Sequence, residues 1–310
     1  MQRVLLIGGT GFCGPHLARL LADAGAEVTV GSRSARANFS AWHTRILDGI
    51  EVRRLDMLDP FTVQAAMEGV DTVVHAASVS KSRSSDLALE QDINSNLIGT
   101  VHIMRAAASA GIERVVLLSS AGTVYGMGQD APYTEVDACV PISSYGIVKL
   151  AAENYVKLLG ETHGISTLIA RLSNPIGPGQ TGADGQGIVA VFYKQLMQDL
   201  PVKIFGDGKA ERDYIDVTEA MGAVRDLMIS QAEGIFNIGS GRSSTILEIA
   251  AALEEVVGKR LTYQKIPPAR PADVGHIRLS IDKLANQIER RPERDLLQVI
   301  KGFVDWASTC

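Results

Sequence analysis

The chain is short of several features that would assign it to a particular class of protein. It has only 3 cysteines in 310 residues. Cys13, Cys139 and Cys310 are odd in number and scattered, which argues against a disulfide framework and suits a reducing compartment. None of the 6 histidines stands at zinc-ligand spacing from another His or Cys, so no metal is expected. No apolar run is long enough to span a bilayer, and residues 1–7 lead into glycines rather than a signal-peptide cleavage site. The expected setting is the cytoplasm, with no membrane role. Positive charge is in deficit too. Lys+Arg 30 against Asp+Glu 35 leaves −5, the wrong sign for binding nucleic-acid phosphates or an anionic membrane surface.

What is present is an ordinary globular composition, 46% hydrophobic and 21% charged with 30 Gly, which excludes disorder, collagen and coiled coil. The length fits one large α/β unit with a smaller lobe. Short apolar runs alternate with longer amphipathic ones as far as about residue 170, the pattern of repeated βα units. Strands are expected at 3–7, 27–30, 52–55, 72–75, 115–118 and 167–170, and helices at 12–24, 60–67, 93–110 and 145–159. Right-handed crossovers then give a Rossmann-type, doubly wound parallel sheet. After Arg171 a loop rich in breakers runs from Asn174-Pro175 through Gly177, Gly179, Gly182, Gly185 and Gly187. Helices at 188–198, 217–230 and 245–257, with strands at 202–205 and 235–238, predict a mixed α/β substrate-binding lobe. The expected division is a dinucleotide-binding domain over 1–172 and a lobe over 173–310, with 235–257 returning to the first sheet.

The first strand opens into Gly8-Gly9-Thr10-Gly11-Phe12-Cys13-Gly14. Glycines at 8, 11 and 14 permit a tight turn, close approach of backbone N–H groups to a pyrophosphate, and packing of the next helix on the sheet. Their place at the first strand-to-helix junction predicts a dinucleotide cofactor. The end of the second strand chooses between the two nicotinamide cofactors, because a carboxylate there accepts from a ribose 2′-hydroxyl and a guanidinium pairs with a 2′-phosphate. Ser32, Arg33 and Ser34 include no acid, so Arg33 leans the choice to NADP, with NAD left open. Asp56, followed by Met57, ends the third strand. It is a candidate for the adenine edge or, equally, a loop acid before Pro60. Ala76 and Ala77 follow the fourth strand beside the cofactor.

Tyr145-Gly146-Ile147-Val148-Lys149 places a phenol and an ammonium on one helix face, a turn apart. Of the 7 tyrosines only Tyr145 has a lysine at that offset. A phenol with a reference pKa of ~10 is a poor base at neutral pH. A cation about 4 Å away, at an effective dielectric of about 20, favours the phenolate by up to ~4 kcal/mol before screening. The pair predicts a group that takes a proton from a sugar hydroxyl as hydride leaves for the cofactor.

These features are joined by His75-Ala76-Ala77, Asn96-Leu97-Ile98-Gly99-Thr100, Ser119-Ser120-Ala121-Gly122-Thr123-Val124-Tyr125-Gly126, Arg171 to Gly179, and Arg212-Asp213-Tyr214-Ile215-Asp216-Val217. Together they resemble the extended short-chain dehydrogenases/reductases of the nucleotide-sugar epimerase/dehydratase family over nearly the whole length. The resemblance implies that Lys149 also holds the nicotinamide ribose, that Asn96 supports the active-site region, and that Pro175 begins the loop over nicotinamide and sugar. It implies Arg212 and Asn174 at the nucleotide diphosphate, with Arg270 as the family's second arginine and Asp273 as the acid near the nucleoside ribose. It further implies a homodimer built on the helices at 93–110 and 145–159.

One departure matters. Three residues before the motif's valine, epimerases of this family carry a Ser or Thr that hydrogen-bonds the sugar hydroxyl, and Ala121 stands there instead. Thr123, the favoured substitute, or Ser120 is expected to supply the hydroxyl, unless Tyr145 acts alone. Related dehydratases carry an Asp-Glu pair in this segment and decarboxylases a Glu, whereas Ala121, Gly122 and Thr123 offer no carboxylate. The expected chemistry is therefore hydride transfer at one carbinol centre of a UDP-, GDP- or dTDP-linked sugar. A 4-epimerase working through a 4-keto intermediate is the leading expectation, and an NADPH-dependent 4-keto-sugar reductase the alternative. A dinucleotide-binding regulator without turnover is the reading from a different class. His75 is expected to be structural, and Trp42 and Trp306 to be packing residues. Substrate choice is expected to rest on the loops 78–85 and 179–187.

Overall fold

Near-continuous apolar runs, rather than alternating ones, mark strands covered on both faces, and the runs at 3–7, 27–30, 72–75, 115–118 and 167–170 form such strands, whereas the third, Glu51–Arg54, is a half-exposed edge strand. The computed structural model describes residues 2–34, 36–78, 86, 88–126, 131–182, 185, 187–268, 275–289 and 291–309. Its strands β1 (Arg3–Ile7), β2 (Glu27–Ser32), β3 (Glu51–Arg54), β4 (Thr72–His75), β5 (Arg114–Ser120) and β6 (Ser166–Leu172) lie in one parallel sheet. The strands that follow are β7 (Asn174–Ile176), β8 (Val202–Phe205), β9 (Glu211–Asp216) and β10 (Gly234–Ile238). The sheet has seven strands in the order β3-β2-β1-β4-β5-β6-β10. Leu6 of β1 stands opposite Val30 of β2 and Val74 of β4.

Successive residues of a strand point to opposite faces, and β1 shows the consequence. Val4 and Leu6 enter a core covered by the helices Gly14–Asp23 and Val217–Ile229. Leu5 and Ile7 enter another, covered by Pro60–Ala66, Gly99–Ala110 and Ser144–His163. A third core joins the helices Ile188–Met197, Ile246–Val257 and Leu296–Ala307 in the lobe. There β9 pairs with β7 and with the short strands β11 (Ser243–Thr245) and β13 (His276–Ile277), while β8 pairs with β12 (Tyr263–Ile266).

The chain crosses between the two units more often than a single division at 172 and 173 allows. The helix Val217–Ile229, placed in the lobe by the sequence, covers one face of the main sheet through Ala220, Met221, Val224 and Leu227. Within 235–257, β10 joins the edge of that sheet beside β6, whereas the helix Ile246–Val257 packs in the lobe. The apolar faces of these helices do not encode which sheet they cover. Local boundaries also differ. Residues 12 and 13 belong to a turn, and the helix starts at Gly14 with Pro15 in its first turn, where no backbone donor is lost. The expected helix over 93–110 begins as a wider π-helical stretch, Ile93–Ile98. The Tyr145 helix starts at Ser144, capped by Ser143 Oγ accepting from the Gly146 N–H, and runs to His163.

Candidate functional site

The carboxyl ends of β1, β2, β4, β5 and β6 open on one cleft of about 530 Å³, the place where open α/β sheets bind ligands. Its floor is the glycine loop. Gly8 has φ +87°, and a Cβ there would lie 2.5 Å from the Ala77 nitrogen, so only glycine lets β1 turn this close to the end of β4. A Cβ on Gly14 would lie 2.5 Å from the Gly8 carbonyl oxygen. Gly11 has no such obstruction, its nearest neighbour being 3.4 Å away, which leaves its face open to a pyrophosphate at the helix N-terminus. The donor set and the missing side chains fit a dinucleotide.

Thr10, Phe12 and Cys13 line this cleft with the three glycines, and so do Ser32, Arg33, Met57, Ala76, Ala77 and Pro175. Burial pushes the Cys13 thiol up to about 12, so it is a protonated wall rather than a nucleophile. Ser32 Oγ lies 3.3 Å from Thr10 Oγ1 and accepts from the Ser34 N–H, while Arg33 is exposed at the rim. Asp56 does not line the cleft; its carboxylate accepts from the Leu58 N–H and closes the turn before Pro60. Asn96 is buried and does not line the cleft. Its side chain donates to Asp92, which also accepts from Ser144 Oγ at 2.7 Å, tying the π-helical stretch to the start of the Tyr145 helix.

Tyr145, Lys149 and Ser120 line the same cleft. Lys149 is 6% exposed, its Nζ 5.8 Å from the Tyr145 ring centre and donating to the Leu118 carbonyl at 3.1 Å. His75, at the end of β4, is held by Thr100 Oγ1 at 2.9 Å. Burial, reinforced by the charge of Lys149, pushes the His75 imidazole down to about 3, so it stays neutral. Ala121 is wholly buried in a core patch with Val124. The chain turns helical immediately after β5, and Thr123 Oγ1 donates back to the Ser120 carbonyl at 3.2 Å, lining neither this cleft nor the next. Of the two hydroxyls the sequence offers, it is Ser120 that reaches the cleft.

A second cleft adjoins the first. Asn174, Gln180, Tyr214 and His43 line it, and it shares Thr10, Gly11, Phe12, Ser173 and Pro175 with its neighbour. Asn174 donates to the Asp213 carbonyl at 2.9 Å. Arg212 lines neither cleft, and its guanidinium donates to the Glu211 carbonyl at 2.7 Å. Arg270 and Asp273 lie outside the described residues, as do Cys310 and most of the expected specificity loop 78–85. Trp42 and Trp306 pack at 6.2 Å between ring centres.

Sequence reasoning missed the supports. His16 Nε2 donates to the Pro178 carbonyl at 2.8 Å and His43 Nε2 to the Thr10 carbonyl at 3.0 Å, fastening the breaker-rich loop and the glycine loop. Beneath the Tyr145 helix, Arg171 grips Glu153 through two nitrogens at 3.1 and 2.8 Å. Arg171 also donates to the Tyr125 hydroxyl at 3.0 Å, which donates to Asn237 at 2.8 Å, while Ser119 Oγ donates to Glu153. The available signal was that Glu153 follows Lys149 by four residues on the same helix face.

Fold and site together define an extended short-chain dehydrogenase/reductase, an NAD(P)-dependent enzyme of nucleotide-sugar epimerase/reductase type. Residues 4–239 match the NAD dependent epimerase/dehydratase family, and the chain belongs to it. It is 29% identical to a putative UDP-glucose 4-epimerase of Methanocaldococcus jannaschii, covering 98% of this chain and 97% of that one. It is 32% identical to a dTDP-4-dehydro-6-deoxyglucose reductase of Escherichia coli over 62% of this chain and 60% of the reductase. The Thermus thermophilus UDP-glucose 4-epimerase, solved in complex with NAD, superposes with a TM-score of 0.89 at 30% identity over 98% of both chains. Among the described residues no helix is long and apolar enough to cross a membrane, and no group of three or more His, Cys, Asp or Glu could hold a metal ion.

Proposed function

We propose that the protein is a UDP-sugar 4-epimerase, which oxidises and re-reduces one carbinol centre through a 4-keto intermediate. The observation that carries the reading is Tyr145 and Lys149 on the wall of the glycine-loop cleft, beside a β5 terminus whose Ala121, Gly122 and Thr123 bring no carboxylate. The full-length relatives named as UDP-glucose 4-epimerases support the substrate class.

A bound nicotinamide dinucleotide supplies the hydride acceptor and donor. Tyr145 removes the proton from the sugar hydroxyl and later returns it, with the positive charge of Lys149 beside its ring. Ser120 presents a hydroxyl on the same wall. Asn174, on the wall of the second cleft, anchors the diphosphate in this reading, with Arg270 and Asp273 at the nucleoside end, so that the sugar turns over while its carrier stays in place; Arg212, which lines neither cleft, joins the anchor only by releasing the Glu211 carbonyl. Arg33 at the cleft rim favours NADP, whereas the Thermus thermophilus relative holds NAD. The same arginine, with the similarity to the Escherichia coli reductase, is what favours the second reading, a 4-keto-sugar reductase.

Following nicotinamide absorbance during turnover of UDP-glucose separates the two, because an epimerase converts its substrate with no net change. Tyr145→Phe is expected to lower turnover by at least ~10²-fold while leaving dinucleotide affinity within about twofold of wild type. Undiminished activity in that variant refutes Tyr145 as the acid/base.

A further inference from the structure

Ser173 follows directly on β6, held by its own N–H donating to the Ile238 carbonyl at 2.8 Å. The residue is 8% exposed, and its hydroxyl oxygen is covered without a hydrogen-bond partner among the described residues. Such a group destabilises the free protein, since water is lost and nothing replaces it. Ser173 also stands on the wall shared by the two clefts. Of the five residues on that wall only Thr10 has another hydroxyl, and Thr10 Oγ1 lies within reach of Ser32 Oγ at 3.3 Å. Tyr145 and Lys149 line the first cleft, Asn174 and Tyr214 the second, so a ligand that spans both passes Ser173.

We infer that Ser173 contacts the substrate and is the hydroxyl that fixes the reacting sugar oxygen beside Tyr145, a task for which Ala121 has no side-chain oxygen and Thr123 is turned away, while Ser120 lines the first cleft alone and not the wall that a ligand spanning both clefts must pass. The inference rests on the epimerase reading. Ser173 Oγ–H donates to the sugar oxygen both while that is a hydroxyl and while it is a carbonyl, which leaves the hydroxyl's own hydrogen directed at Tyr145. Tyr145 alone carries the proton in and out, so Ser173 begins and ends each turnover with its own hydrogen. An unpaired buried hydroxyl in the free enzyme thereby acquires its partner only when substrate is bound, which makes the contact selective for a sugar with an oxygen at that carbon.

Ser173→Ala removes one oxygen and little else. The free variant is expected to melt at the wild-type temperature or up to ~2 °C higher, because an unsatisfied polar atom has gone. Dinucleotide affinity should stay within about twofold, and kcat on UDP-glucose should fall by about tenfold or more, a larger loss than in Thr123→Val. An active wild type with an undiminished Ser173→Ala variant overturns the inference. So does a free variant that melts several degrees lower, since the hydroxyl would then be structural. A parallel loss of dinucleotide affinity overturns it too, by assigning the contact to the cofactor. If the wild type turns over no UDP-sugar, the epimerase reading fails by itself. The Ser173 contact is then decided by whether UDP-glucose, added with dinucleotide, raises the melting temperature of wild type more than that of Ser173→Ala. Equal shifts refute it.

Discussion

At the scale of single residues, the surroundings of a side chain outweigh its chemical type. Six histidines look alike in the sequence, yet His75 is 2% exposed and pushed down to about 3 by burial and by Lys149. Burial lowers His16 and His43 as well, against hydrogen bonds to the Pro178 and Thr10 carbonyls that raise them. In the unfolded chain each takes up a proton near pH 6.5. Below that value, and for His75 down to about 3, the unfolded state holds more protons than the folded one, so stability rises with pH through this window. The melting temperature is expected to fall steadily as pH drops from about 7 to about 5, with a shallower fall in His75→Asn. A wild-type melting temperature that holds level or climbs on acidification contradicts this account. Tyr145 and Lys149 were legible because their relation is local, one helical turn, whereas the unpaired hydroxyl of Ser173 depends on strands and loops from three parts of the chain.

At the scale of elements, the helix Ser144–His163 bears Tyr145 and Lys149 on its first two turns and Glu153, which ties it to β6, on the third. Glu153 is wholly buried and Arg171 is 3% exposed, so the pair is costly to desolvate and more costly to break. Glu153→Ala leaves the Arg171 guanidinium buried without its carboxylate and is expected to lower the unfolding free energy by about 3–5 kcal/mol. The comparison is the Arg3–Asp71 pair, whose nitrogen and oxygen approach to 2.5 Å but whose arginine side chain is 50% exposed. Asp71→Asn should cost only ~0–1 kcal/mol. Urea denaturation of both variants checks the ranking, and equal costs would mean that burial is not what gives the Glu153 pair its weight. The strand and helix spans of the first half were readable because each is a continuous apolar or amphipathic run. The π-helical stretch Ile93–Ile98 was not, since its residues do not differ in pattern from an ordinary helix.

At the scale of the whole molecule, the outer face of the Tyr145 helix bears Ile147, Tyr155 and Leu158 at 56%, 42% and 56% exposure, with Ile98 at 40% on the neighbouring helical segment. Side chains at 147, 155 and 158 fall on one stripe of a helix with 3.6 residues per turn, and an exposed apolar stripe of this kind is a site of association. We propose that a second copy of this chain covers it, as the family resemblance implies. Light scattering should give twice the chain mass of 33.1 kDa for wild type and the single mass for Leu158→Glu. A wild type that stays monomeric at tens of micromolar would rule the dimer out.

By itself the sequence determined what short stretches decide. The turn from β1 through Gly8, Gly11 and Gly14 into a helix is a matter of a few consecutive backbone angles, and the offset from Tyr145 to Lys149 is a matter of helical pitch. The family motifs added the class of reaction. Only the tertiary structure decided which residues stand on a common wall. It turned Thr123 away and Ser120 inward, buried Asn96 behind Asp92, joined Glu153 to Arg171, and sent the helix Val217–Ile229 back to cover the main sheet. These outcomes depend on packing between segments far apart in the chain, where the same apolar pattern satisfies more than one partner and only the filled space distinguishes them.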